Sequence, residues 1–69
     1  MQAICTYRIT VRDKVDETTF NATSPLQMTV VKVDSDATLL TICADQSGLI
    51  GFIRHLHRQG FVLLSVYRE

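Results

Sequence analysis

The chain reads as an α+β domain of the split β-α-β, ferredoxin-like kind, with a four-stranded antiparallel sheet and a reduced first helix. Three observations predict it. Residues 3–12 alternate, with Ala3, Cys5, Tyr7, Ile9 and Val11 set against Ile4, Thr6, Arg8, Thr10 and Arg12, the period-two mark of a strand with one buried face. Residues 46–59 carry Leu49, Ile50, Phe52, Ile53 and Leu56 at steps of three and four, the mark of an amphipathic helix. Two more β-rich runs precede that helix and one follows it, so the order is strand, weak helix, strand, strand, strong helix, strand.

In the first strand the odd positions are expected to face the core. Between Asp13 and Pro25 the alternation fails, and VDETTFNATSP offers only Val15 and Phe20 as large apolar anchors. Asp16 can cap Glu17 to Asn21, while Pro25 blocks continuation and biases Ser24 toward extended backbone, so a short, poorly covering helix or an irregular loop is expected here. Residues 26–33 (LQMTVVKV) and 37–44 (ATLLTICA) are extended, and Asp34-Ser35-Asp36 between them supplies turn chemistry, so together they predict a hairpin. Asp45 sits where a helix cap belongs. Gly60 stops the helix, because glycine adopts the left-handed conformation at little cost, and His57 and Arg58 complement the negative end of the dipole. Phe61 to Tyr67 (FVLLSVY) closes the chain as a fourth strand.

One long helix shields only one side of such a sheet. With Leu40, Ile42, Ala44, Val62, Leu64 and Val66 beneath it beside Tyr7, Ile9 and Val11, the residues Ile4, Leu39, Thr41, Cys43, Leu63 and Tyr67 turn the other way. These six are the expected interaction surface, since a large apolar patch on a small protein marks a contact site.

Sixty-nine residues make one domain, 1–69, and a core of this size rarely supplies more than about 3–5 kcal/mol without a disulfide, a metal or a partner. Cys5 and Cys43 fall in separate strands on opposite faces, and neither has a close Cys or His, so neither a bridge nor a metal site is expected. A partner subunit is the remedy left, and a homodimer is expected, with an unidentified protein as the alternative partner. Seven basic residues balance seven acidic ones, so no field gathers nucleic acid or an anionic membrane. The amino terminus lacks the shape of a signal peptide and no run has the apolar length of a span, so the expectation is a cytoplasmic protein with no membrane association. Asn21-Ala22-Thr23 matches a glycosylation acceptor, which in that compartment would go unused.

No phosphate loop, activated nucleophile or positioned carboxylate pair is found, so the chain is expected to be neither an enzyme nor the holder of a cofactor. His55 and His57 stand two apart on a helix, point apart, and are expected to be solvated. Tyr7, Phe61 and Tyr67 with Arg54 and Arg58 sketch an RNA-stacking sheet, but the strand-borne motif of an RNA-recognition module is absent. Asp45, Gln46, Ser47 and Gly48, followed by Leu49, are similar to the Asp-x-x-Gly-Leu opening of ACT regulatory domains, which implies a small ligand at the helix amides. That motif follows the first strand in ACT domains and the third here.

Tyr7 to Arg12, Leu39 to Thr41, Asp45-Gln46, Leu49, Gly51, Gly60 and Leu64-Ser65-Val66 together resemble a family of very short bacterial proteins of no established function. Those proteins carry a YRIxVRG-like strand and a DQxxLHGLL-like helix leading into GLxLLSV. The sequence departs from the pattern at Asp13, where glycine is usual, and at Ile50, where histidine is common. The resemblance implies a fold and no activity.

Overall fold

Six elements follow in the predicted order: β1 (Cys5–Arg12), α1 (Glu17–Asn21), β2 (Thr29–Val33), β3 (Ala37–Ala44), α2 (Gln46–Arg58) and β4 (Leu63–Arg68). The computed structural model describes residues 4–24 and 26–69, and the expectations for Ala3 and Pro25 lie outside them. The sheet runs β2-β3-β1-β4 with every neighbouring pair antiparallel. The fold is thus a small α+β arrangement of four strands and two helices, with β1 and β3 in the centre as expected.

The β1–β3 register sorts the residues by face. Tyr7, Ile9 and Val11 stand opposite Ile42, Leu40 and Thr38, while Thr6, Arg8 and Thr10 stand opposite Cys43, Thr41 and Leu39. The first set builds the core, where Ile9, Val11, Leu40 and Ile42 are buried with Phe52 and Leu56 of α2. Cys5 shares a row with Ala44 and Cys43 shares one with Thr6, so the two sulfurs lie on opposite faces and no bond joins them.

The weak segment is short but well tied. Asp16 Oδ1 accepts from the amides of Thr18 and Thr19 at 3.0 and 3.3 Å and caps α1, so of the two expected forms the segment takes the short helix. Asn21 then clamps Met28 at both backbone groups, its Nδ2 donating to the carbonyl at 3.1 Å and its Oδ1 accepting from the amide at 3.0 Å. Glu17 Oε2 accepts from the Val30 amide at 2.9 Å, so the short helix is fastened to the margin of β2. Extended backbone is expected from Leu26, yet β2 begins only at Thr29, and the residue before it, Met28, is held through its backbone by Asn21.

Phe20 joins this segment to the rest. Its ring meets Phe52, His55 and Phe61 edge-on at 5.6, 5.1 and 5.9 Å between centroids. Thr38, fully buried, does the same for the chain after β1: its hydroxyl donates to the Asp13 carbonyl at 2.8 Å and accepts from the Val15 amide at 3.1 Å. Asp13 turns there with φ 70°, in the left-handed region.

Asp45 caps α2 through Oδ1 to the Gly48 amide at 2.8 Å. Gly48 sits close against β3, where a Cβ would stand 3.1 Å from the Ala44 Cβ and would press that neighbour back by a few tenths of an ångström. At the far end Gly60 has φ +88°, the Phe61 amide donates to the Leu56 carbonyl and the Gly60 amide to that of His57, each at 3.0 Å. Two paired bonds of this kind satisfy the carbonyls a helix leaves open and reverse the chain into β4.

Candidate functional site

The face of the sheet away from α2 differs from the oily surface expected of it. Its middle strand presents Thr6, Arg8, Thr10 and Arg12, and these separate β3 from β4: Arg8 stands opposite Thr41 on one side and Tyr67 on the other, and Thr10 opposite Leu39 and Ser65. Thr29 and Lys32 of β2 continue the polar rows opposite Thr41 and Leu39. Arg8 Nε lies 2.7 Å from Glu69 Oε1, close enough for an ion pair although out of line for a hydrogen bond. Of the six residues expected to form one patch, Leu39 and Thr41 are half-buried, Cys43 and Tyr67 are exposed, and Ile4 is exposed just before β1. Polar neighbours divide them.

Leu63 departs from its expected side. The β1–β4 register slips between Thr10 and Val11, so Thr10 faces Ser65 while Val11 faces Leu63. A bulge puts one extra residue into a strand and reverses the alternation beyond it. Leu63 therefore comes round to the helix side, opposite a core residue. Val62 and Leu64, expected beneath α2, remain 49% and 47% exposed, and only Val66 packs on the core as predicted.

The result is a groove of about 800 Å³ between the second half of α2 and the start of β4. Ile53, Leu56, Phe61, Val62 and Leu63 supply its apolar lining, and Arg54, His57 and Arg58 supply its polar groups. The sequence carries one signal for it. Phe61-Val62-Leu63-Leu64 is four apolar residues in a row, and a strand with one buried face cannot hide them all.

The other readings fare differently. Asp45 and Gly48 cap the helix through each other, with Gln46 and Ser47 exposed, so the Gly48 amide is already engaged. Tyr7 and Phe61 pack against the core while Tyr67 lies in the row with Arg8 on the opposite face, so the three rings share no platform. His57 is exposed as expected. His55 is not: it is half-buried edge-on to Phe20, and its Nε2 is buried without a hydrogen-bond partner. Among the described residues no group of three His, Cys, Asp or Glu side chains could hold a metal ion, and no helix is long and apolar enough to cross a membrane.

A family model for a domain of unknown function, DUF8691, matches residues 6–67, from β1 through Tyr67 of β4. The chain belongs to this family. Membership in DUF8691 agrees with the expected kinship to proteins of no established function, and the match takes in both the capped helix and the bulged strand. No curated protein and no solved structure matches the chain.

Proposed function

We propose that this DUF8691 chain is a small non-catalytic interaction module of ferredoxin-like arrangement that works as a homodimer, with the flank of α2 and β4 as its contact surface. The observation that carries the reading is the pair Val62 and Leu63, 49% and 40% exposed in a groove that Leu56 and Phe61 also line. Full burial of an exposed side chain of this size is worth about 1.5–3 kcal/mol, and somewhat under half of that remains to be gained for each, a sizeable sum for a domain whose own core yields about 3–5. β4 is also a sheet margin, so one row of its backbone groups is open to pairing. The accessible surface totals 4612 Å², and a standard interface of about 800 Å² per partner would cover about a sixth of it. The strand order, read from the β4 margin as four, one, three, two, supports the split β-α-β reading. The exposed Cys43 thiol suits a reducing, cytoplasmic setting.

Sedimentation equilibrium from low to high micromolar protein tests this reading. The wild-type chain should dimerise. Leu63→Asp should yield monomer with an unchanged circular dichroism spectrum, whereas Tyr67→Asp on the opposite face should leave the dimer intact. A wild-type chain that stays monomeric throughout refutes the proposal, and a dimer broken only by Tyr67→Asp moves the contact to the open face.

A further inference from the structure

A second cavity, of about 410 Å³, is lined by Thr23, Ser24, Gly51, Arg54, His55 and Arg58. Arg54 and Arg58 border both cavities, the apolar groove and this second pocket, so both long side chains are within reach of either. Residues four apart on a helix lie on one face, and like charges so placed repel. The ion pairs found among the described residues are Arg8 with Glu69 and Lys32 with Asp34, so neither Arg54 nor Arg58 has an acidic partner there. Among the described residues no carboxylate lines the pocket. Gly51, three and seven residues before the two arginines, lies on the same helix face, and a Cβ built on it meets nothing within 4 Å. The missing side chain leaves a notch between the arginines and the chain after α1.

The hydroxyls across the notch differ. Ser24 Oγ is committed to Leu26, donating to its carbonyl at 2.5 Å and accepting from its amide at 3.2 Å. Thr23 Oγ1 makes a long contact of 3.4 Å to the Phe20 carbonyl, its one side-chain bond among the described residues, and can turn to a ligand. The His55 ring, held against Phe20, closes the side of the pocket.

We infer that this pocket binds a phosphate monoester, gripped by Arg54 and Arg58 with the Thr23 hydroxyl as a further donor. A carboxylate offers two oxygens and can be filled by one guanidinium fork. A phosphate monoester offers three terminal oxygens and nearly two charges, which occupies both forks and relieves their mutual repulsion. The inference is independent of self-association and can be tested in the Leu63→Asp chain as well as the parent.

The test is a titration of the ¹⁵N-labelled protein with glycerol 3-phosphate, with inorganic phosphate and with acetate at low salt. Saturable amide shifts are expected at Thr23, Gly51, Arg54 and Arg58, with acetate weaker than glycerol 3-phosphate by about ten-fold or more. Arg54→Gln and Arg58→Gln should each weaken binding by about ten-fold or more, the usual worth of a charge-assisted hydrogen-bonded contact. Both side chains are exposed, so an otherwise unchanged amide spectrum serves as the folding control. Lys32→Gln, removing an exposed cation elsewhere, should leave the affinity as it was. Shifts that do not saturate, an equal response to acetate, or a Lys32→Gln effect as large as that of the arginine variants would overturn the inference. Vesicles containing phosphatidic acid identify the source: release by glycerol 3-phosphate assigns a soluble ligand, retention against it assigns a lipid headgroup, and both keep the phosphate monoester.

Discussion

Replacing Thr38 by valine isolates one hydrogen-bonding atom at nearly constant volume. Its hydroxyl, in a fully buried residue, bridges the Asp13 carbonyl and the Val15 amide at 2.8 and 3.1 Å. Valine would leave both backbone groups without a protein partner. A buried orphaned donor costs about 1–3 kcal/mol, and the Asp13 carbonyl, which is only partly buried, adds less because water can reach it. The added methyl returns up to about 0.8 kcal/mol. The net loss should be about 2 kcal/mol, roughly half the stability that a core of this size provides. With a urea slope of about 1 kcal/mol/M, the midpoint should fall by about 2 M with the slope unchanged. Protein concentration must be held constant, because a dimer's stability depends on it. Amide exchange gives a local readout: the Val15 amide should lose protection in Thr38→Val and retain it in Thr38→Ser, which keeps the hydroxyl. A midpoint shift below about 0.5 M, with Val15 still protected, would refute the reasoning that this bridge holds the chain after β1.

Gly51 within α2 and Gly60 just beyond it give opposite predictions. Gly60→Ala places a side chain at φ +88° and should cost about 1–2 kcal/mol, read as a lowered melting temperature. Gly51→Ala meets open space within an exposed helix and should stabilise by about 0.5–1 kcal/mol, although the methyl narrows the arginine notch and should weaken glycerol 3-phosphate in the same titration.

Local chemistry made the elements legible. The Asp16 and Asp45 caps, the helix stop at Gly60, the span of β3 and the alternation of β1 all depend on neighbours within a few residues, and each stands where the sequence puts it. The bulge opposite Thr10 and Val11 could not be read. It is a relation between two strands, and a period counted along one strand says nothing of a slip against its partner, so Leu63 comes round to the helix side while Val62 and Leu64 stay exposed. The polar face has another cause. Thr6, Arg8, Thr10 and Arg12 are plain in the sequence, but the apolar residues of β3 and β4 join into a patch only if β1 is not placed between them. Thr38 shows the same limit from the other direction. A threonine in a β-branched run looks like strand propensity, and its bridging role is fixed by residues more than twenty positions earlier.

The fastening of Glu17 to the Val30 amide makes the two borders of the sheet unequal. On the β2 border that carboxylate already occupies a backbone donor, the register slips beside Val31, and Lys32 brings a charge that discourages an incoming strand. The β4 border has no such carboxylate plug among the described residues. A molecule receptive at both borders could recruit copies endlessly and grow into a fibre, whereas one receptive border exhausts itself when two copies meet.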